Sequence, residues 1–106
     1  KAVLLSMFIY NVTVSVDTAV HEEWLQWMKE KHMPDVMKSG CFVDCQILRV
    51  LGVEDDDGKT FSAQYRFLEI ADIERYQKEF AASLQAEHRA KYGDKTTAFR
   101  TLLQIL

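Results

Sequence analysis

From Met7 to Val16 every second residue is apolar: Phe8, Tyr10, Val12, Val14 and Val16 share one face, and Asn11, Thr13 and Ser15 share the other. A period of two with β-branched residues predicts a strand with one strongly apolar face. Asp17-Thr18 then offers an N-cap, and Glu22 and Glu23 follow where a helix dipole favours acids. Val20, Trp24, Trp27 and Met28 recur at helical spacing. Pro34 lacks an N–H and crowds the turn before it, so the helix is expected to break there. A short turn over 35–38 follows, and Gly40 stops it.

Residues 41–53 alternate again, with Cys41, Val43, Cys45 and Ile47 against Phe42, Asp44, Gln46 and Leu48. The acidic stretch 54–59 carries Asp57-Gly58, a hairpin signal. A third strand returns over 60–69, with Phe61, Ala63, Tyr65 and Phe67 on one side. Asp72 reads as the cap of a second helix whose stripe is Ile73, Tyr76, Phe80 and Leu84, and Gly93 ends it. A fourth strand covers 96–105, with Phe99, Thr101, Leu103 and Ile105 opposite Arg100, Leu102 and Gln104.

The order β-α-β-β-α-β predicts an α+β domain of the ferredoxin-like type: a four-stranded antiparallel sheet with two helices on one face. The helix-facing side is expected to hold Tyr10, Val12, Val14, Cys45, Ile47, Ala63, Tyr65, Phe67, Phe99 and Leu103. The other side is expected to hold Asn11, Thr13, Asp44, Gln46, Gln64, Arg66 and Arg100, interspersed with Ile9, Phe42, Leu48, Leu68 and Leu102. A fully solvated face seldom carries so many large apolar groups. A homodimer with sheet packed on sheet is therefore expected.

Length and composition narrow the picture. A chain of 106 residues, 48% apolar and 27% charged, fits one globular domain over 1–106. Thirteen basic and sixteen acidic residues give a net charge of −3, and the basic ones are scattered, which disfavours nucleic acid as a partner. No stretch is long and apolar enough for a membrane span. Cys41 and Cys45, four apart on a strand, lie roughly 13 Å apart, too far for a mutual disulfide. Two buried thiols fit a reducing compartment, and a cytoplasmic location is expected. Residues 1–6 read as an extension upstream of Met7.

At this point several runs carry a resemblance. Met7-Phe8-Ile9-Tyr10-Asn11-Val12-Thr13-Val14, Glu23-Trp24-Leu25-Gln26-Trp27-Met28, His32-Met33-Pro34-Asp35-Val36-Met37, Glu74-Arg75-Tyr76-Gln77 and Ala98-Phe99-Arg100-Thr101-Leu102-Leu103 resemble a family of small bacterial proteins of unknown function. The family is similar in pattern to the dimeric α+β barrel superfamily, which includes cofactor-independent monooxygenases, lactone isomerases and ligand-sensing domains. The resemblance implies a barrel closed by two sheets across a dimer. It implies no particular reaction, because one fold hosts many chemistries.

Five residues stand out as ligand-binding candidates. His32, beside the expected helix break, has the chemistry of a general base or ligand contact, or of a helix C-terminal His that meets free carbonyls. Trp27, with Trp24 and Met28, can line an aromatic pocket or simply fill core; spacing of three places one ring deep and one at the rim. Asn11, Gln64 and Arg66 are expected on the dimer-facing side. Arg66 could hold an anion, or Arg66 or Arg100 could pair with Asp44. His88 and Tyr92 close the second helix. The acidic run 54–57 lacks the ligand pattern of an EF-hand and reads as a solvated hairpin tip. No metal site, cofactor motif, phosphate loop or nucleophile elbow is present in the pattern. The function expected is binding of a small organic ligand, with cofactor-independent catalysis as an extension of it. A non-enzymatic binding or regulatory dimer is the alternative.

Overall fold

The computed structural model describes residues 7–53 and 58–106. Strand β1 (Met7–Asp17) leads into a helical run of three parts: α1 (His21–Trp27), a π-helical turn (Met28–His32) and α2 (Met33–Met37). There follow β2 (Asp44–Arg49), β3 (Gly58–Phe67), α3 (Ile70–Glu79), α4 (Ala81–Tyr92) and β4 (Thr96–Ile105). The four strands form one antiparallel sheet in the order β2-β3-β1-β4. This is the ferredoxin-like βαββαβ arrangement that the pattern predicts.

Pro34 does not end the first helix. The turn before it is wound wide, with the Met33 N–H bonded to the Met28 carbonyl five residues back. An ordinary α-turn would press the proline ring against the Glu30 carbonyl, and the wider turn opens room for it. The helix then runs to Met37, and Gly40, at φ +74°, turns the chain out. The second helix is bent where the stripe suggested one rod: Phe80 leaves helical geometry at φ −124°. Ile73 and Tyr76 are buried before the bend and Ala81 and Tyr92 after it, so the bend turns two short stripes toward one core. The cap is Glu69, one box earlier than expected, with Asp72 bonding back to the Glu69 N–H as its reciprocal partner.

Two face assignments change. The second strand is only six residues long, and Phe42 precedes it. Phe42 packs inward among Tyr10, Tyr65, Phe67 and Tyr76, with centroids 4.9–6.1 Å apart, so it belongs to the core and not to the open face. In β4 the predicted faces are reversed. Val12 lies opposite Arg100, and Thr13 opposite Phe99. Opposite residues in an antiparallel pair share a face. Arg100 and Leu102 are thus on the helix side, while Phe99 and Leu103 lie on the open side with Ile9, Asn11 and Thr13. Apolar residues on both faces of this strand left its pattern without a preferred side.

The core sits between the helices and the β2-β3-β1 part of the sheet. Trp24 is wholly buried against Phe61, at 5.2 Å between centroids, and Val36, Phe67 and Ile73 are almost as deep. Each such side chain contributes roughly 1.5–3 kcal/mol by burial. Residues 1–6 and the acidic run 54–57, including its calcium reading, lie outside the described residues.

Candidate functional site

Where the helices leave the core toward β4, the sheet and helices enclose a cavity of about 200 Å³. Val12, Val14 and Ala63 give it an apolar wall, Tyr10, Tyr65 and Tyr76 an aromatic one, and His32, His88, Arg89 and Arg100 its charged or titratable groups.

The π-helical turn supplies His32. Its ring stacks on Trp27 at 5.2 Å and stands edge-on to His88 at 5.8 Å. His32 Nδ1 is buried and has no hydrogen-bond partner among the described residues. Burial, then the nearby His88, pushes its pKa down to about 4; Lys31 and Arg100 push the same way, and Asp35 opposes them. His32 is therefore neutral at physiological pH.

His88, on α4, accepts a hydrogen bond at Nε2 from the Trp24 Nε1–H at 2.9 Å. An indole N–H only donates, so the His88 proton must sit on Nδ1. Burial lowers the His88 pKa, and the Arg100 charge adds to it. Arg100, on β4, donates from Nε to the Tyr10 hydroxyl at 3.1 Å. Burial pushes the Tyr65 and Tyr76 phenols up, so both stay protonated.

The five predicted ligand residues fall into two groups. His32 lines the cavity, and half-buried Trp27 backs it, wedged against His32, His88 and Tyr92, with Lys91 Nζ 5.9 Å from its ring. Asn11, Gln64 and Arg66 lie on the opposite, open face of the sheet. Asn11 donates to Thr13 Oγ1 at 3.0 Å and accepts from the Ser62 hydroxyl, and Gln46 donates to Gln64 at 3.1 Å. Arg66 grips Asp44 on β2 with two contacts, one from Nε at 2.7 Å. That pair holds the Asp44 carboxyl below its usual range. The sequence reading left out the cavity's own Tyr10, Tyr76 and Arg100. His88 was visible as a residue at the helix end, but its Trp24 partner is 64 positions away.

The arrangement can hold a small molecule with an apolar body and a few polar groups. No serine or cysteine lines it, and among the described residues no group of three or more His, Cys, Asp or Glu could hold a metal ion. Cys41 and Cys45 are free thiols. Among the described residues no helix is long and apolar enough to cross a membrane.

The chain belongs to the family described as domain of unknown function DUF4286, whose model matches residues 7–106. Its fold is that of the ferredoxin-like proteins. It is similar to SnoaB of Streptomyces nogalater, a cofactor-independent oxygenase, at 14% identity and a TM-score of 0.64, over 91% of this chain and 90% of that one. A Dabb family protein with a ferredoxin-like fold from Mesorhizobium loti gives 14% and 0.65, over 95% and 96%. A dimeric ferredoxin-like protein from an uncultured marine organism gives 12% and 0.63, over 95% and 96%. Among curated proteins none matches the chain. At such identities the likeness concerns the fold.

Proposed function

We propose that the protein is a homodimer that binds a small organic molecule in the cavity between sheet and helices of each protomer. The observation that carries the reading is the cavity itself, with the buried Nδ1 of His32 left without a partner beside it. A buried polar atom without a partner costs about 1–3 kcal/mol, so a ligand that bonds it recovers that cost on binding. The volume is close to the cavity of about 150 Å³ that holds a benzene ring in other proteins and below the roughly 300 Å³ typical of drug-sized ligands, so the ligand is about one ring in size.

Binding is favoured over catalysis. A general base works best with a pKa near the working pH, and His32 at about 4 is a weak one. The oxygenase among the structural neighbours keeps a second reading open, in which the bound molecule reacts with oxygen without a cofactor.

The dimer is supported by the open face, where Phe99, Leu103, Ile105 and Leu48 are exposed. A second sheet would cover them. Asn11, Gln64 and Arg66 would then face the partner, serving the layer between the sheets, while His32 and Trp27 serve the cavity. The two free thiols fit a reducing, cytoplasmic setting.

Native mass spectrometry of the purified chain tests both halves: a dimer is expected, and Leu103→Asp should yield monomer. Titration with single-ring compounds should shift the imidazole signals of His32 and His88. A wild-type monomer at micromolar concentration would end the dimer reading, and unmoved imidazole signals throughout a set of such compounds would end the cavity reading.

A further inference from the structure

The charged groups around the cavity are all of one sign. Among the described residues the lining includes Arg89 and Arg100 and no Asp or Glu, in a chain with sixteen acidic and thirteen basic residues. The two imidazoles add nothing to that charge, because both are neutral near pH 7. Three basic groups elsewhere are paired with acids: Arg66 holds Asp44, and Lys31 and Lys38 share Asp35. Arg100 has no carboxylate partner among the described residues. Its Nε is spent on the Tyr10 hydroxyl, which fixes the guanidinium at the cavity and leaves its two terminal nitrogens free of partners among the described residues.

We infer that the ligand is a small aromatic carboxylate, with its ring against the tyrosine and valine walls and its carboxylate on the terminal nitrogens of Arg100. The inference rests on the cavity reading above and adds the chemical class of the ligand. A planar guanidinium with two parallel N–H groups matches a carboxylate in a way that a ring nitrogen or a hydroxyl does not. The positive field of Arg100 reaches inward as far as His32, His88 and Tyr76, whose protonation equilibria it tilts. A bound carboxylate removes that field and supplies the one charge the lining lacks. The aromatic body follows from the walls: tyrosine rings and aliphatic side chains favour a flat apolar group.

The test uses the full chain and two probes of the same shape, benzoate and benzamide, followed by calorimetry and by the imidazole signals of His32 and His88. Benzoate is expected to bind at least about tenfold more tightly than benzamide, the advantage of a bidentate guanidinium–carboxylate pair over a guanidinium bonded to one neutral carbonyl. Arg100→Gln should erase that preference by weakening benzoate far more than benzamide, and Arg100→Lys should restore part of it. Arg100 is exposed and on an edge strand, so both variants should stay folded, with melting lowered only by the loss of the Tyr10 hydrogen bond. If either variant fails to fold, the probe pair on the wild-type chain decides the matter alone. Equal affinity for the two probes, or a preference that survives Arg100→Gln, overturns the carboxylate assignment and leaves the cavity reading standing. If neither probe nor any other single-ring compound moves the imidazole signals, the cavity reading falls and the carboxylate falls with it.

Discussion

Strands β3 and β4 are both ten residues long, both antiparallel to β1, and both rich in apolar side chains, yet they live in opposite environments. In β3, Phe61, Ala63, Tyr65 and Phe67 are buried in strict alternation with half-buried polar neighbours. In β4 only Thr96 escapes full exposure; Phe99 is 63% and Leu102 52% exposed, on opposite faces. Both strands carry hydrophobes, so hydrophobicity does not separate them. The separation comes from what lies above. Helices cover β2, β3 and β1, and toward β4 they lift away to leave the cavity. A strand that is apolar on both faces and covered on neither is, on our reading, finished by something else: a second copy on the open side and a ligand on the other.

The largest contrast is a pair of truncations. Phe67→Ala should cost about 3–5 kcal/mol in urea unfolding, because Phe67 is fully enclosed. Phe99→Ala should cost under about 1 kcal/mol within the protomer, and its effect should instead appear as a weaker dependence of the urea midpoint on protein concentration. Similar, concentration-independent losses for the two would break the comparison.

Next comes pH. His32 titrates at about 4 in the folded chain against an ordinary 6.5, so the unfolded chain binds the extra proton between those values. Stability is complete above pH 6.5 and should fall by on the order of 3 kcal/mol as pH drops to 4. His32→Phe should flatten that slope, and an equally steep slope in the variant would assign the effect to other groups. A smaller effect is expected from Trp24→Phe, which removes the indole N–H that holds His88 and leaves a small void in the core: about 1–2 kcal/mol in urea unfolding. The smallest is Arg66→Gln. Its pair with Asp44 is close to half exposed, so the loss should stay below about 1 kcal/mol in thermal melts. A larger loss would mean that the open face is drier than the protomer alone makes it, as burial in a dimer would.

The elements and their order were legible because period-two and helical stripes are local signals, and β1 and β3 carry them cleanly. The β4 face was not legible, since Phe99 and Leu103 on one side and Leu102 on the other make either register plausible. The cavity escaped for a different reason. Its parts come from β1, β3, the first helical run, α3, α4 and β4, and their meeting depends on pairs such as Trp24 with His88 and Tyr10 with Arg100 that no local pattern contains. Arg66 and its Asp44 partner were readable because they sit opposite each other in the β2–β3 register. The wide turn at 28–32 left no trace in the stripe, although Pro34 marked the place.

That wide turn also sets the angular phase of everything after it. Successive residues of an α-helix advance by about 100° around the axis, and a π-turn spends one residue more than an α-turn on the same revolution. The chain from His21 to Met37 is thus a rod with a single slipped tooth: Trp24 and Met28 before the slip and Met33 and Val36 after it face the same core because of it. Deleting any one residue between Met28 and Met33 would give a tidier helix by backbone criteria. It would also keep Met33 and Val36 in phase with Trp24 and Met28, because the four would then stand at spacings of four, four and three on one face. A plain α-helix through all the same residues would instead carry Met33 about 500° past Met28, roughly 140° off the core face, so the wide turn is what lets this segment hold its extra residue without losing the alignment of its two halves.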